Sequence, residues 1–468
     1  MYREGLQYMA VKDMSYQEGS MKLLNHIQRI TVLRKAAQSG PLSMLWRLLQ
    51  QLHAGDPYSA ADEYHALSHA LLTGGYRRAS GDLLQDYLLH FLLEEENEFS
   101  RLAAKNLWDE PLSTAMRLDL KLLDPLFDLN SATLKRWMGD CHQNSKRQAH
   151  NQHPKDNIAQ MSAAVWSGAT TRPLPSAPPV PAVAQLPKLP QATLDENSFL
   201  SWRYQPATQE GEYVADIALE ELHRRLLEST DRGLLLDDLW NFHATYGTGV
   251  FLKDRLFTID TQGHLLPIPS VVEEEPNTFY HAQREQATMN VIRFMQDERA
   301  ENMFLTGGPG AGKTTQVFIL ARELPELRLI CCPPGCMDAL ACALPRLLEQ
   351  PLKFILFLDE FQADDPAWLR LKSAAAPSGT QAGQLLFIAA ARGGDDAFFP
   401  LKVQLPQPQI KECIELVQLM LLQRGRDVDF DRIQNACIDY AALAGKNGLP
   451  PFSYRAANVI AETLLNGG

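Results

Sequence analysis

The residues Gly307-Gly308-Pro309-Gly310-Ala311-Gly312-Lys313-Thr314 fit the pattern G-x-x-x-x-G-K-[ST]. A chain of this composition shows that pattern by chance roughly once in a hundred cases, so its setting has to decide whether it is meaningful. Met303-Phe304-Leu305 is apolar and strand-like just before it, and Thr315–Leu320 reads as the start of a helix just after. That is the arrangement a phosphate cradle needs. Glycines let the backbone turn tightly and aim its N–H groups at phosphate oxygens, and the helix N-terminus adds a partial positive charge. Lys313 is expected to reach the β- and γ-phosphates, and the Thr314 hydroxyl to ligate Mg²⁺.

A second group lies at a matching distance. Phe354-Ile355-Leu356-Phe357-Leu358 is an apolar run that ends in Asp359-Glu360. A buried strand would carry Asp359 to its tip, beside the Mg²⁺ water shell, and leave Glu360 placed to polarise an attacking water. No Asn-Lys-x-Asp guanine-reading motif follows the phosphate loop, which favours ATP over GTP. Cys331, Cys332, Cys336 and Cys342 do not form two C-x-x-C pairs and read as core cysteines rather than a zinc site. Cys141 with His142, His150 and His153 has no matching second cluster and is likewise not expected to bind metal.

Positioning these groups requires a parallel sheet. Five short apolar strands are expected at Asn302–Thr306, Leu327–Cys332, Phe354–Leu358, Leu385–Ala390 and Lys402–Leu405, with helices between most of them. Helices near Gln409–Gln423, Phe430–Ala444 and Ser453–Leu465 read as a small lid. The organisation that follows is a helical N-terminal domain (1–141), a polar and proline-rich linker (142–195), a connecting module (196–278), a nucleotide-binding core (279–408) and the lid (409–468). The N-terminal part repeats Ile27, Ile30, Leu33 and Leu83, Leu84, Tyr87, Leu88, Phe91, Leu92 at helical spacing, and Trp46, Trp108 and Trp137 read as core or groove residues. Residues 173–190 hold seven prolines and should be an extended spacer. The connecting module is expected to hold helices at Val214–Leu227 and Leu234–Thr245, a turn at Tyr246–Phe251, and strands near Arg255–Ile259 and His264–Ile268.

The chain has 468 residues and a net charge of −12. That balance weighs against a sequence-independent grip on nucleic acid, which needs clustered Lys and Arg. No run of 18 apolar residues marks a membrane span, and Met1–Ser20 lacks the apolar core of a signal peptide, so a cytoplasmic protein with reduced cysteines is expected. Met21, after Gln17-Glu18-Gly19-Ser20, is an alternative start to Met1.

The chain resembles the AAA+ P-loop ATPases filed as domain-of-unknown-function family 815. The resemblance runs from roughly Asp237 to Leu465. It is carried by Tyr246-Gly247-Thr248-Gly249-Val250-Phe251, Gln283-Arg284-Glu285 with Asn290 and Phe294, the phosphate loop, Phe354–Glu360, Asp365-Pro366 with Leu371-Lys372, and Ser453-Tyr454-Arg455-Ala456-Ala457. It implies a five-stranded AAA+ core with a helical lid. Arg455 would be the lid arginine that contacts the γ-phosphate, and Tyr280 and its neighbours would border the adenine pocket. Two departures stand out. The family's fourth strand ends Ala-Thr-Ser-Asn-Arg-Arg, where this chain reads Ala389-Ala390-Ala391-Arg392-Gly393-Gly394, so the sensor Asn is missing and Arg392 takes its approximate place. The family's Asp-Arg-Phe-Gly segment, a source of an arginine finger, is missing too. A finger is worth about three to five powers of ten in turnover, so Arg392 or a partner has to substitute, or hydrolysis is slow.

Three readings follow. The first is an ATP-hydrolysing remodeller that changes the conformation of a protein partner held by the helical domain. The second is a slow nucleotide-dependent switch or scaffold, and the third a loader-type ATPase acting on DNA. Oligomerisation is open.

Overall fold

A computed structural model describes residues 10–163, 199–206, 214–269, 280–324, 326–376, 383–391, 396–447 and 450–466, with residues 149–163 as backbone alone. The proline-rich stretch 173–190, Arg392 with Gly393 and Gly394, and the side chains of His150 and His153 therefore lie outside the described residues. The chain divides into two compact units. One comprises Met1–Phe99, Trp108–Gly211 and Asp216–Trp240, the other Ser100–Leu107, Glu212–Ala215 and Asn241–Gly468.

The regular elements before the sheet are helices: α1 (Tyr16–Arg29), α2 (Arg34–Ala37), α3 (Gly40–Ala54), α4 (Pro57–Thr73), α5 (Leu83–Leu93), α6 (Glu98–Ala104), α7 (Glu110–Phe127), α8 (Ser131–Ala163), α9 (Val214–Glu228), α10 (Leu236–Tyr246) and α11 (Val250–Lys253). Their starts are written locally. Asp56, Asp82 and Asp109 accept from backbone N–H groups of the first turns of α4, α5 and α7, each cap worth about 1 kcal/mol. Pro57 occupies the first turn of α4, where its missing donor costs nothing. Asp119, buried in α7, accepts from the N–H groups of Thr31, Val32 and Leu33 at 2.7–3.1 Å and ties down the turn between α1 and α2. Trp137 is fully buried and its Nε1 donates to the Met14 carbonyl, whereas Trp108 is about half exposed.

Two boundaries read from sequence need correction. The polar residues 142–163, assigned to the linker, continue α8; a helix needs no apolar face to carry on for a few turns from a packed base such as Trp137–Cys141. The connecting module 196–278 is not one piece. Trp202 is buried in the helical unit, stacked on Tyr64 with its Nε1 donating to Ser68 Oγ, while the strands of that module join the sheet of the other unit.

That sheet is seven-stranded, not five-stranded as expected. Its strands are β1 (Leu256–Ile259), β2 (Leu265–Pro267), β3 (Met303–Gly307), β4 (Arg328–Cys332), β5 (Phe354–Leu358), β6 (Leu385–Ala391) and β7 (Leu401–Leu405), in the order β2-β1-β4-β5-β6-β3-β7. All seven lie where strands were expected from sequence; the difference is that β1 and β2, assigned to the connecting module, join the sheet of the nucleotide-binding core. β1 runs parallel to β4, pairing Phe257 with Ile330, and β2 returns antiparallel to β1. The addition pairs the ladder groups of β4 that would otherwise form an open edge. Around the sheet lie α12 (His281–Met295), α13 (Lys313–Glu323), α14 (Met337–Leu348) and α15 (Pro366–Ala374), followed by α16 (Ile410–Gln423), α17 (Phe430–Lys446) and α18 (Tyr454–Asn466).

Burial on both faces explains the unbroken apolar strands. Along β5, Ile355 and Phe357 join the core beneath α12, α13 and the last three helices, while Phe354, Leu356 and Leu358 join the core beneath α14 and α15. The Tyr246–Phe251 turn is an anchor. Thr248 N–H donates to Gln350 Oε1, Arg328 Nε donates to the Phe251 carbonyl, and Phe251 is buried against Phe257 and Phe354. Asn290 has a similar task, bridging α12 to the chain just before β3 through both backbone groups of Glu301.

Candidate functional site

The tip of β3 lies between β6 and β7, and the chain leaves it in opposite senses: toward β4 beyond β6, and from β6 back across to β7. Such a reversal opens a crevice at the C-terminal ends of the strands. A cleft of about 710 Å³ sits there, lined by residues 309–315, Asp359–Gln362, Ala390, Ala391, Tyr454, Arg455 and Asn458. Most of the residues singled out in the sequence converge on it.

The phosphate loop joins β3 to α13. Gly310 and Gly312 hold left-handed backbone (φ +73° and +83°), which a residue with a Cβ adopts only at a cost of about 1–2 kcal/mol. Space forbids a side chain as well: a Cβ on Gly312 would lie 2.9 Å from the Tyr454 ring, and one on Gly310 would lie 3.1 Å from Arg455 Cβ and 3.2 Å from Ser453 Oγ. Gly307 ends β3 against the Leu405 carbonyl, and Gly308 follows it; neither lines the cleft. Lys313 Nζ donates to the Gly307 and Gly308 carbonyls at 3.0 and 3.2 Å, which lays its ammonium along the loop. Thr315 and Pro309 border the cleft.

Opposite the loop, β5 delivers Asp359. Its Oδ2 accepts from Thr314 Oγ1 at 3.1 Å, and its Oδ1 accepts from the Glu360 N–H at 3.0 Å. Glu360 is exposed and left-handed at φ +48°, a conformation that costs a non-glycine residue on the order of 1 kcal/mol and needs surrounding structure to hold it. The next residue supplies that hold, since Phe361 N–H donates to the Ala390 carbonyl at 2.8 Å and its ring is buried against Phe304, Trp368 and Phe399. The bend therefore turns Glu360 out of the sheet at the border of the cleft. Cys331 lies on β4 close to Asp359; burial, reinforced by that carboxylate, pushes its thiol up to about 12. Cys332, also buried, is likewise raised to about 12. Cys331, Cys332 and Cys336 are packed thiols, as expected, whereas Cys342 on α14, also expected in the core, is exposed.

The remaining wall comes from the first turns of α18. Ser453 Oγ accepts from Ala456 N–H and starts the helix, which brings Tyr454, Arg455 and Asn458 to the cleft. Tyr280 does not line it. It precedes α12 in left-handed backbone, is 8% exposed, and faces the Tyr454 ring at 6.2 Å. Its phenol is raised, chiefly by burial. Tyr454 thus stands between Tyr280 and the loop. Asn458 was missed in the sequence, although its spacing of one helical turn from Arg455 could have found it.

Chemically, the arrangement combines a backbone cradle, a loop cation, a hydroxyl beside a carboxylate, and a second carboxylate held apart from the first. The wall at the tip of β6 contributes only Ala390 and Ala391 among the described residues.

No curated protein matches the chain. Solved structures similar to part of it include a point variant of Thermotoga maritima RuvB (15% identity, 40% of this chain and 70% of that one, TM-score 0.30). The Thermotoga maritima RuvB Holliday junction branch migration motor is similar at 16% identity, 40% of this chain and 70% of that one, TM-score 0.27. A further point variant of the same Thermotoga maritima protein is similar at 16% identity, 42% of this chain and 72% of that one, TM-score 0.29. Residues 255–390 match the family described as "Protein of unknown function (DUF815)", and this segment contains the phosphate loop, Asp359 and Glu360.

Proposed function

We propose that the cleft binds ATP with Mg²⁺ and hydrolyses it slowly, and that the cycle changes the conformation of a protein partner. The observation that carries the reading is the Thr314 Oγ1–Asp359 Oδ2 contact of 3.1 Å, beside a loop whose lysine lies along its glycine carbonyls. A hydroxyl and a carboxylate in contact are oxygen donors of the kind Mg²⁺ takes, with waters completing its shell. The fit is also one of size, because about 710 Å³ is within the usual range for a small-molecule site. When bound, Mg²⁺ would offset the charge of the β- and γ-phosphates.

Each residue then has a task. The loop N–H groups hold phosphate oxygens, and Lys313 swings from the Gly307 and Gly308 carbonyls to the phosphates. Thr314 and Asp359 hold the metal. Glu360, set at the cleft by its left-handed backbone, orients a water and takes its proton. Arg455, exposed at the start of α18, stabilises charge on the γ-phosphate. Tyr454 covers the loop, with Tyr280 behind it as support. A protein partner is assigned to the helical unit, and the net charge of −12 weighs against DNA.

The second reading, a switch that binds ATP with little turnover, is favoured by the alanines at the tip of β6. The test is calorimetric titration of the full chain with ATP and Mg²⁺ beside steady-state phosphate release. Micromolar binding with measurable turnover supports the proposal. Binding without turnover selects the switch, and no binding rejects both.

A further inference from the structure

The bend that sets Glu360 depends on Phe361, and Phe361 is held in turn by residues that do not line the cleft. Its buried ring meets Trp368 of α15 edge-on at 5.1 Å and Phe399 at 5.3 Å, and the Trp368 and Phe399 rings stack on each other at 5.5 Å and 19°. Apolar contact alone has no direction and fixes such rings loosely. A single polar residue supplies the direction. Asp396 Oδ2 accepts from Trp368 Nε1 at 2.8 Å, its Oδ1 accepts from the Phe398 N–H at 2.8 Å, and its carbonyl accepts from the Phe399 N–H at 3.0 Å. Asp396 thus ties the tryptophan of α15 to the chain that carries Phe399. Lys372 Nζ, 3.7 Å from Asp396 Oδ1 and 5.9 Å from the centroid of the Trp368 ring, adds a cation to the same group. Burial pushes the Asp396 carboxyl up, yet the Phe398 and Trp368 donors and Lys372 outweigh it and hold the group below the usual carboxylate range.

We propose that Trp368 and Asp396 are positioning residues for Glu360: their hydrogen bond locks the ring clamp on Phe361, and the locked Phe361 keeps the Glu360 carboxylate at its place in the cleft. The proposal rests on the reading above, in which Glu360 acts on the attacking water. Two features of the geometry support it. A glutamate in left-handed backbone relaxes unless its neighbours over-determine it, and the clamp grips the residue immediately after it. A hydrogen bond to an ionised acceptor is about twice as strong as a neutral one, so the Trp368–Asp396 bond is the firmest directional contact in the clamp.

Loss of that bond frees the indole to tilt, and the edge contact with Phe361 loosens with it. The Lys313 contacts with the loop carbonyls and the Thr314–Asp359 contact do not involve the clamp. The expected signature is therefore slower turnover at unchanged affinity. A misplacement of about 1 Å at a reacting group can cost about a hundredfold in rate, and partial loosening of one neighbour should cost less.

The test is Trp368→Phe in the full chain, which keeps a ring in the clamp and removes the donor. ATP affinity and phosphate release at saturating ATP are measured side by side. Phosphate release should fall about tenfold, with affinity within about twofold of the unaltered chain. In the Glu360→Gln background the same substitution should change the residual single-turnover rate by less than about twofold, because a group that acts through Glu360 has nothing left to act on. Asp396→Asn, which keeps shape and removes the charge, should give the same split if Trp368→Phe fails to fold. Equal losses of affinity and turnover, no loss, or a loss that persists in the Glu360→Gln chain overturns the positioning role. A readout free of nucleotide separates this proposal from the one it rests on. The Phe361 amide, bonded to the Ala390 carbonyl, should exchange its hydrogen about tenfold faster in Trp368→Phe. An unaltered chain without turnover fails the earlier reading, while the exchange rate still decides whether the clamp holds the bend, and an unchanged rate overturns it.

Discussion

The two walls of the cleft are furnished unequally. On the wall formed by the phosphate loop and the tip of β5, Lys313, Thr314, Thr315, Asp359, Glu360 and Gln362 bring polar or charged side chains, and several groups are already in contact: Lys313 with the Gly307 and Gly308 carbonyls, Thr314 with Asp359, Asp359 with the Glu360 N–H. On the wall formed by the tip of β6, the described residues are Ala390 and Ala391, methyl groups with no donor to offer. The first wall suits holding a nucleotide and a metal. The second is where a polar side chain would stabilise charge that develops only during hydrolysis. On the function proposed above, unequal furnishing would separate binding from turnover, because interactions made equally in both states give affinity and only those gained in the transition state give rate.

The largest effect should come from the rich wall. Lys313→Ala removes the loop cation, and ATP affinity and turnover should both fall by about a thousandfold, the scale of losing a principal charge-stabilising donor. Unchanged affinity would show that the loop is not where phosphate sits. Glu360→Gln keeps shape and hydrogen bonding but removes the proposed base. Phosphate release should fall about a hundredfold, at the low end for general-base loss, while affinity stays within about twofold. If affinity fell instead, Glu360 would belong to binding and the separation would fail on its own side.

A smaller effect should come from the seam between the loop and α18. Gly312→Ala forces a Cβ to within 2.9 Å of Tyr454 and a disfavoured φ of +83° onto alanine. ATP affinity should fall by about tenfold, from a strain of roughly 1–2 kcal/mol. Arg455→Ala, whose Cβ already touches the Gly310 position, should lower phosphate release about tenfold and affinity less, as expected for a cation acting on developing charge. Equal losses in both would make Arg455 part of the binding wall.

How much of this was legible depends on the range of the interaction. The loop and the run Phe354–Leu358 were readable because local composition and two-sided burial write themselves into consecutive residues. The same holds for α16, α17 and α18, whose bounds fall within about a turn of those read from sequence. The pairing of β1 with β4 was not readable, because register between Leu256 and Leu329 is fixed by partners far apart in the chain. Nor was the burial of Trp202 among Tyr64 and Ser68. Within the site, Asp359 was legible as the end of an apolar strand. The left-handed turn at Glu360 was not, since glutamate gives no hint of positive φ; only the anchoring of Phe361 on the Ala390 carbonyl explains it. Tyr280 was placed at the pocket by resemblance, and Tyr454 occupies the cleft wall in front of it, a three-dimensional order that sequence does not carry.

The smallest effect is expected at Arg392, and it tests the comparison most directly. In the sequence it stands near the place of the family's missing sensor Asn, which makes it a candidate to furnish the poor wall. An asparagine amide donates to a phosphate or water along a fixed plane, whereas an arginine at the same point has a longer, freer side chain flanked by Gly393-Gly394 and loses more rotamer entropy on docking. Its net contribution to turnover should therefore be small. Phosphate release by Arg392→Ala should fall by less than about threefold, under about 1 kcal/mol in the barrier, with ATP affinity unchanged. Arg392→Asn should leave the rate equal or raise it. A collapse of turnover in Arg392→Ala by about two powers of ten or more, at constant affinity, would mean that this arginine acts as sensor or finger. The walls would then be equally furnished, and the slow-turnover reading would give way to a fast ATPase.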